Sequence, residues 1–349
     1  MDKSKQAAQE ARERWDAIAK PLGSLGALED LVTKICALTQ DPHVNIRKRC
    51  VAIVCADNGV VEEGVTSSPA VVTQVIAHNI AQNMSSVCRM CAPFGIDCVA
   101  VDVGMKKPVA NANILNRRVA AGTANIATGP AMLREQAQEA IEVGIRLVGD
   151  LKEQGYNLVA TGEMGIGNTT TATAMACAFL GIEPARITGR GAGLSDEALE
   201  HKVQVITRAL EVNKPDAFDP LDVLSKLGGL DIAAMCGMFM GGAQHRVPIV
   251  MDGVISTVAA YCAMQLQPGC EKAILPSHLS AEPAMPLLLE HMNMQPVIHA
   301  GMRLGEGTGA ACLIPLLDMA VSLYQTGPTY DDCGIEAFVD EDKTEDAQQ

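Results

Sequence analysis

The chain has 349 residues, a net charge of −14 at pH 7, and 48% hydrophobic but only 3% aromatic residues. No basic run exceeds Arg47-Lys48-Arg49, which argues against nucleic acid and an anionic membrane surface as partners. Apolar volume drawn from Ala, Val, Ile, Leu and Met is the profile of an α/β enzyme with helices packed closely on a buried sheet.

In chain order, residues 3–20 hold many strong helix formers and predict a helix. Pro21-Leu22-Gly23-Ser24-Leu25-Gly26 breaks it. Ser24 or the following glycine opens a second helix, whose Leu28, Leu31, Val32, Ile35 and Leu38 recur at helical spacing. Residues 51–56 form a continuous apolar run, hence a buried strand; its end, Asp57-Asn58-Gly59-Val60, lies where open α/β sheets bind ligands. A helix is expected over about residues 70–91 and a strand over 97–103, whereas 111–128 shows little periodicity. Residues 131–154 predict an amphipathic helix with Ala137, Ala140, Ile141, Gly144, Ile145, Val148 and Leu151 on one face. Further on, Ser195 reads as the cap of a helix over 196–213. Helices follow over 222–227 and 230–242, and a strand over 248–251. Asp252-Gly253 then turns into a helix ending at Leu266, so the longest apolar stretch, 249–266, reads as strand, turn and helix and not as a membrane span. A strand at 273–276 and helices at 284–292 and 311–324 complete the alternation, which predicts a mostly parallel sheet. The end is acidic and is expected to fray over 340–349.

The chain centres on residues 158–174, LVATGEMGIGNTTTATA. An apolar lead-in enters a glycine-rich turn holding one acid, Glu163, and a helical stretch follows. Strand, glycine-rich turn and helix start together make a phosphate site, because backbone N–H groups and the positive helix end converge. Residues 299–311, HAGMRLGEGTGAA, echo it around Glu306. The two turns are expected to face each other, with Glu163 and Glu306 framing the chemistry as a general base or a stabiliser of a cationic transition state. Neither a dinucleotide fingerprint nor a Walker-type loop is present, so a monophosphate fits better than a triphosphate. A second glycine-rich loop, Gly189-Arg190-Gly191-Ala192-Gly193, offers further donors.

Other constellations read as structural. Cys88 and Cys91, with Cys98 beyond, lack the partners of a metal site. Twelve scattered cysteines fit a reducing cytoplasm, and the charged N-terminus lacks the apolar core of a targeting segment. Ser277, His278 and Asp252 could form a triad, but no nucleophile elbow accompanies them.

Seven segments in order carry a resemblance that runs nearly end to end. They are Lys20-Pro21-Leu22-Gly23-Ser24-Leu25-Gly26 with Leu28-Glu29; Ala56-Asp57-Asn58-Gly59-Val60 with Gly64-Val65-Thr66; Gly162-Glu163-Met164-Gly165-Ile166-Gly167-Asn168-Thr169-Thr170; Gly189-Arg190-Gly191; Met251-Asp252-Gly253; Ser277-His278 with Ser280-Ala281-Glu282; and Arg303-Leu304-Gly305-Glu306-Gly307-Thr308-Gly309-Ala310. The chain thereby resembles the nicotinate-nucleotide–dimethylbenzimidazole phosphoribosyltransferase family of cobalamin lower-ligand synthesis. The resemblance implies a Rossmann-like, mostly parallel α/β domain over 46–300. It also implies a smaller helical domain from 1–45 together with part of 300–338, and a homodimer.

The implied reaction moves 5-phosphoribose from nicotinate mononucleotide to a benzimidazole nitrogen, giving α-ribazole phosphate and nicotinate, with no cofactor or metal expected. By resemblance Glu306 is the general base, and Glu163 sits across the site. Gly165, Ile166, Gly167, Asn168, Thr169, Thr170, Gly189, Arg190, Gly191, Lys202 and Ser280 would hold the nucleotide; Thr66, Ser67, Gln74, Met164 and Leu304 would line the base pocket. The chain departs from the pattern at Leu22, where a second proline is common, and at Asn58, where a histidine is common, neither expected to touch the glutamates. Alternative readings are another lower-ligand base, such as adenine, another benzimidazole or a phenol, and a non-catalytic nucleotide-binding homologue.

Overall fold

Apolar runs become strands here because helices cover the sheet. In the computed structural model, which describes residues 2–191 and 193–337, the strands are β1 (Arg49–Ala56), β2 (Asp97–Gly104), β3 (Ile114–Asn116), β4 (Leu158–Met164), β5 (Ile249–Met251) and β6 (Ile274–Pro276). The expected acidic tail, 340–349, lies outside the described residues. All six strands are parallel, in the order β3-β2-β1-β4-β5-β6. The chain builds outward from β1, returns to lay β4 on the other side of β1, and builds outward again. Strand order therefore reverses between β1 and β4, and the crevice beyond their carboxyl ends is where such sheets bind ligands. Both strands are buried along their whole length.

The helices are α1 (Lys3–Ala17), α2 (Ala27–Thr39), α3 (Val71–Ala81), α4 (Ser86–Cys91), α5 (Arg134–Glu153), α6 (Asn168–Leu180), α7 (Pro184–Ile187), α8 (Asp196–Asn213), α9 (Pro220–Leu227), α10 (Leu230–His245), α11 (Val254–Leu266), α12 (Ala284–His291), α13 (Thr308–Thr326) and α14 (Tyr330–Cys333). Three expectations need correction. The helix expected over 70–91 is two helices, separated where Asn83 turns left-handed (φ 56°) and Ser85 caps α4 through its hydroxyl. The aperiodic stretch 111–128 contributes the edge strand β3. Gly162 and Glu163 belong to β4 and not to a turn, since pairing with β1 continues to Met164.

The described residues divide into two compact units, one within 46–313 and the other from 2–45 with 314–337. In the smaller unit, Trp15 lies 5.1 Å from the Tyr324 ring, and Arg14 donates to the carbonyls of Tyr324 (2.9 Å) and Gly327 (2.8 Å). The Tyr330 hydroxyl donates to Lys20 O at 2.6 Å, so side chains from the two chain ends share one core. Helix α13 is long and apolar enough to cross a membrane by composition, but over half of it is buried inside the protein.

In the larger unit α5 and α10 approach until their backbones touch. A Cβ on Gly144 would fall 1.9 Å from Ala234 O, and one on Gly237 1.9 Å from Ile141 O. Glycine here is a packing requirement. Gly144→Val is expected to cost about 3 kcal/mol by overpacking, measured by urea denaturation; a change under about 0.5 kcal/mol would show that these helices separate freely.

Candidate active site

A cavity of ≈ 310 Å³ opens at the carboxyl ends of β4, β5 and β6, within the larger unit. Glu163 and Glu306 both line it, as do Met164, Gly165, Ile166, Gly167, Asn168 and Thr169. So do Arg190, Gly191, Lys202, Ser280, Thr66, Ser67 and Leu304. Thr170, Gly189 and Gln74 do not. Thr170, in the first turn of α6, is fully buried. Gln74 misses the cavity because Val72 and Ile76 supply the facing side of α3, and Gln74 sits about 200° around the helix from Val72.

The Glu306 turn is the most constrained element of the site. Gly305, Glu306 and Gly307 have φ of 85°, 59° and 85°. Three successive left-handed residues are unusual, and the non-glycine one is strained by about 1–2 kcal/mol. Two contacts hold them. Glu306 O would lie 2.7 Å from a Cβ on Gly162, and Gly162 Cα 3.1 Å from a Cβ on Gly307, so the turn rests on bare backbone of β4. Asp252, at the end of β5, accepts from Gly307 N (3.2 Å) and Ala310 N (2.9 Å). An acid from another element thus caps α13, matching the positive end of that helix. The Glu306 carboxylate accepts weakly from Val87 N at 3.4 Å. Burial pushes its pKa up, against the opposing bonds from Val87 and Ser85.

Glu163 is buried on β4. Its Oε2 accepts from Asn168 Nδ2, which also donates to Asp231 Oδ2 at 3.0 Å. Burial pushes Glu163 up to about 8; Asn168 opposes the shift, and Asp231, Asp252 and Glu306 add to it. Gly165 is glycine because a Cβ would fall 2.6 Å from Asp231 Oδ2 and 2.8 Å from Ala56 O.

The expected cradle of free amides after β4 is partly used internally. Ile166 N donates to Thr73 Oγ1 (3.2 Å), Asn168 N to Gly165 O (3.0 Å) and Thr170 N to Gly167 O (2.9 Å). Of Thr169, Thr170 and Thr171 only Thr169 lines the cavity, and it accepts from Lys202 Nζ at 3.0 Å. Lys202 also donates to Gly189 O at 3.1 Å. Burial lowers its pKa to about 8, opposed by Glu282. Glu282 fills the space beside Gly189, where a Cβ would meet it at 1.9 Å, and accepts from Gly191 N at 3.0 Å. Arg190 pairs with Asp196, and the Ser280 hydroxyl is buried without a partner among the described residues.

The triad suggested by Ser277, His278 and Asp252 does not form. Ser277 Oγ donates to Met251 O (2.6 Å) and meets His278 Nδ1 at 3.1 Å, the same nitrogen that faces Asp252 at 3.9 Å. Acid and hydroxyl crowd one ring nitrogen, whereas a triad needs them on opposite ones. Sequence reasoning gave no attention to Asp231, which does not line the cavity but accepts from Asn168 behind it: a lone acid in a helix's first turn looks like an ordinary dipole partner. Glu282 and Asp252 were visible in their motifs, without a role.

Removing the Asp252 carboxylate should loosen the Glu306 turn. Asp252→Ala is expected to speed amide exchange at Gly307 and Ala310 about tenfold or more, as for loss of a charge-assisted bond. Unchanged exchange, read by NMR or mass spectrometry, would remove Asp252 from that role.

The phosphoribosyltransferase family profile matches residues 2–335. The nicotinate-nucleotide–dimethylbenzimidazole phosphoribosyltransferase of Acetivibrio thermocellus is 45% identical over 325 residues, 93% of each chain. That of Ruminiclostridium cellulolyticum is 44% identical over 330 residues, covering 95% of this chain and 94% of its own. The crystal structure of CobT from Thermus thermophilus superposes with a TM-score of 0.90 at 33% identity, over 95% of this chain and 100% of that one. A match of this extent, on a sheet whose switch-point cavity holds both glutamates, makes the chain a member of the phosphoribosyltransferase family.

Proposed function

We propose that the protein transfers 5-phosphoribose from nicotinate mononucleotide to 5,6-dimethylbenzimidazole, as its relatives' names state for them, in the synthesis of the cobalamin lower ligand. The observation that carries this reading is the sharing of one cavity by Glu163 and Glu306, with Lys202, Arg190 and Arg303 on the same lining. Cleavage of the bond from C1′ to the pyridinium nitrogen builds positive charge on the ribose while nicotinate leaves with a neutral ring nitrogen. Buried carboxylates stabilise that charge without reorganising. Glu306 accepts the N–H proton of the incoming azole, which makes the opposite ring nitrogen a better nucleophile as it reaches C1′. Attack from the face opposite nicotinate inverts C1′ and yields the α product.

The cationic side chains take the phosphate and the nicotinate carboxylate. Lys202, Arg190, Gly191, Thr169 and Ser280 surround the nucleotide end, and the partnerless Ser280 hydroxyl supports a ligand there. Thr66, Ser67, Met164 and Leu304 line the base end, together with Val72 and Ile76. The reading includes a cytoplasmic homodimer. Among the described residues all twelve cysteines are unpaired, which supports a reducing compartment.

Glu306→Gln is expected to lower formation of α-ribazole phosphate by about 10²–10⁴-fold and to leave nicotinate mononucleotide binding intact, measured by mass spectrometry of products and by calorimetry. Unchanged turnover would sink the role of Glu306. The base must be ionised to act, and burial raises its pKa. The contribution of Glu306 to kcat/KM is therefore full above that raised pKa and is lost as pH falls through it, with an acid limb above the ordinary glutamate value of about 4.3; a profile with every acid limb at or below that value contradicts the assignment.

A further inference from the structure

Asp231 has no part in the chemistry above, yet it is among the most thoroughly buried polar groups of the molecule, at 0% exposure. It stands in the first turn of α10, behind the carboxyl end of β4. The sequence makes room for it twice. A Cβ on Gly165 would meet Asp231 Oδ2 at 2.6 Å and Asn58 Nδ2 at 2.9 Å. One on Gly229 would meet Asp231 Oδ1 at 2.3 Å and Asn58 Oδ1 at 2.6 Å. Asn58, where the family pattern commonly has histidine, therefore packs against Asp231, one side chain further from Glu163.

Glu163 and Asp231 come from different elements and share one donor group. The two protons of Asn168 Nδ2 go one to each carboxylate, which exhausts that nitrogen. Neither carboxylate forms an ion pair among the described residues. The other groups facing Glu163 are Asp252 from the end of β5, Glu306 from the turn before α13 and the Cys55 thiol of β1, all acids. Two buried carboxylates bridged by one neutral amide cannot both stay ionised at neutral pH without a cation. The directions agree: burial, then neighbouring carboxylates, lifts Glu163 to about 8, and burial lifts Asp231 to about 6.

We propose that Asp231 is a positioning residue of the transfer reaction. Through Asn168 it orients Glu163 and keeps one proton on the Glu163–Asp231 pair while the cavity is empty, and a ribosyl pyridinium cation displaces that proton to solvent when it binds. Only a carboxyl O–H bond breaks; its electron pair stays on the carboxylate and the proton passes through water to buffer. The site thus gains its second negative charge when a cation is present to face it. The proposal rests on the nucleotide specificity argued above.

Titration calorimetry of the protein with nicotinate mononucleotide at pH 7, in buffers of different ionisation heat, counts the protons released. Glu163→Gln in parallel subtracts those moved by the phosphate and by Lys202. The wild type is expected to release about one proton more per site than Glu163→Gln. Asp231→Asn is expected to bind the nucleotide and show a smaller excess, because loss of the Asp231 charge lowers the Glu163 pKa while burial, Asp252 and Glu306 still raise it. Where Asp231→Asn does not fold, Asp231→Ser removes the same charge in a smaller side chain and is read in the same way. Equal release by wild type and Glu163→Gln overturns the shared proton and leaves the transferase reading standing; full release by Asp231→Asn overturns the role of Asp231. Absence of any binding heat overturns both readings together.

Discussion

The contact on which the site depends is backbone against backbone: the left-handed turn at Gly305, Glu306 and Gly307 lying on β4 at Gly162. No side chain fits between them, so both surfaces are glycine. The turn carries one glutamate and the strand beneath it carries the other, in adjacent residue positions. The two elements approach with backbone against backbone, which leaves no room for a Cβ at Gly162 or Gly307. Asp252 then bolts the turn down by bonding amides on both sides of Thr308.

The same economy governs the acids behind the cavity. Glu163, Asp231, Asp252 and Glu306 arise from a strand, a helix, a strand end and a turn, and the fold brings them into one electrostatic neighbourhood. Such a cluster opposes folding, since each buried carboxylate loses water. The compensation is visible in the donors: Asn168 serves two of the acids, and the amides of α13 serve a third. At the other end, Lys202 and Glu282 brace the second glycine-rich loop from inside, through Gly189 O and Gly191 N. That second loop is thus shaped by buried ions as well as by its own sequence.

Legibility in the sequence followed the range of the interaction. Helix α8 was readable end to end because Ser195 caps it through its own hydroxyl, bonded to Ala198 N at 3.2 Å. The apolar runs of β1 and β4 announced themselves because both strands are covered on both faces. Gly162 and Glu163 misled, since glycines that look like a turn are there to admit a neighbouring backbone, and the strand continues through them. Gln74 came from the family resemblance and not from helix phase; the structure places Val72 and Ile76, on the other side of α3, along the cavity.

By itself, the sequence determined the alternation of strands and helices, the two glycine-rich stretches with their single acids, and the ordered motifs that mark the family. These are local properties, written in the periodicity and in residue types at fixed short spacings. The tertiary structure alone decided that Asp231 lies against Asn168, that Asp252 caps α13, and that much of the amide cradle after β4 is spent on its own turn. Those facts depend on strand order. Only when β4 returns beside β1, with β5 next to it, do acids far apart in the chain meet around one cavity, and no local pattern records that return.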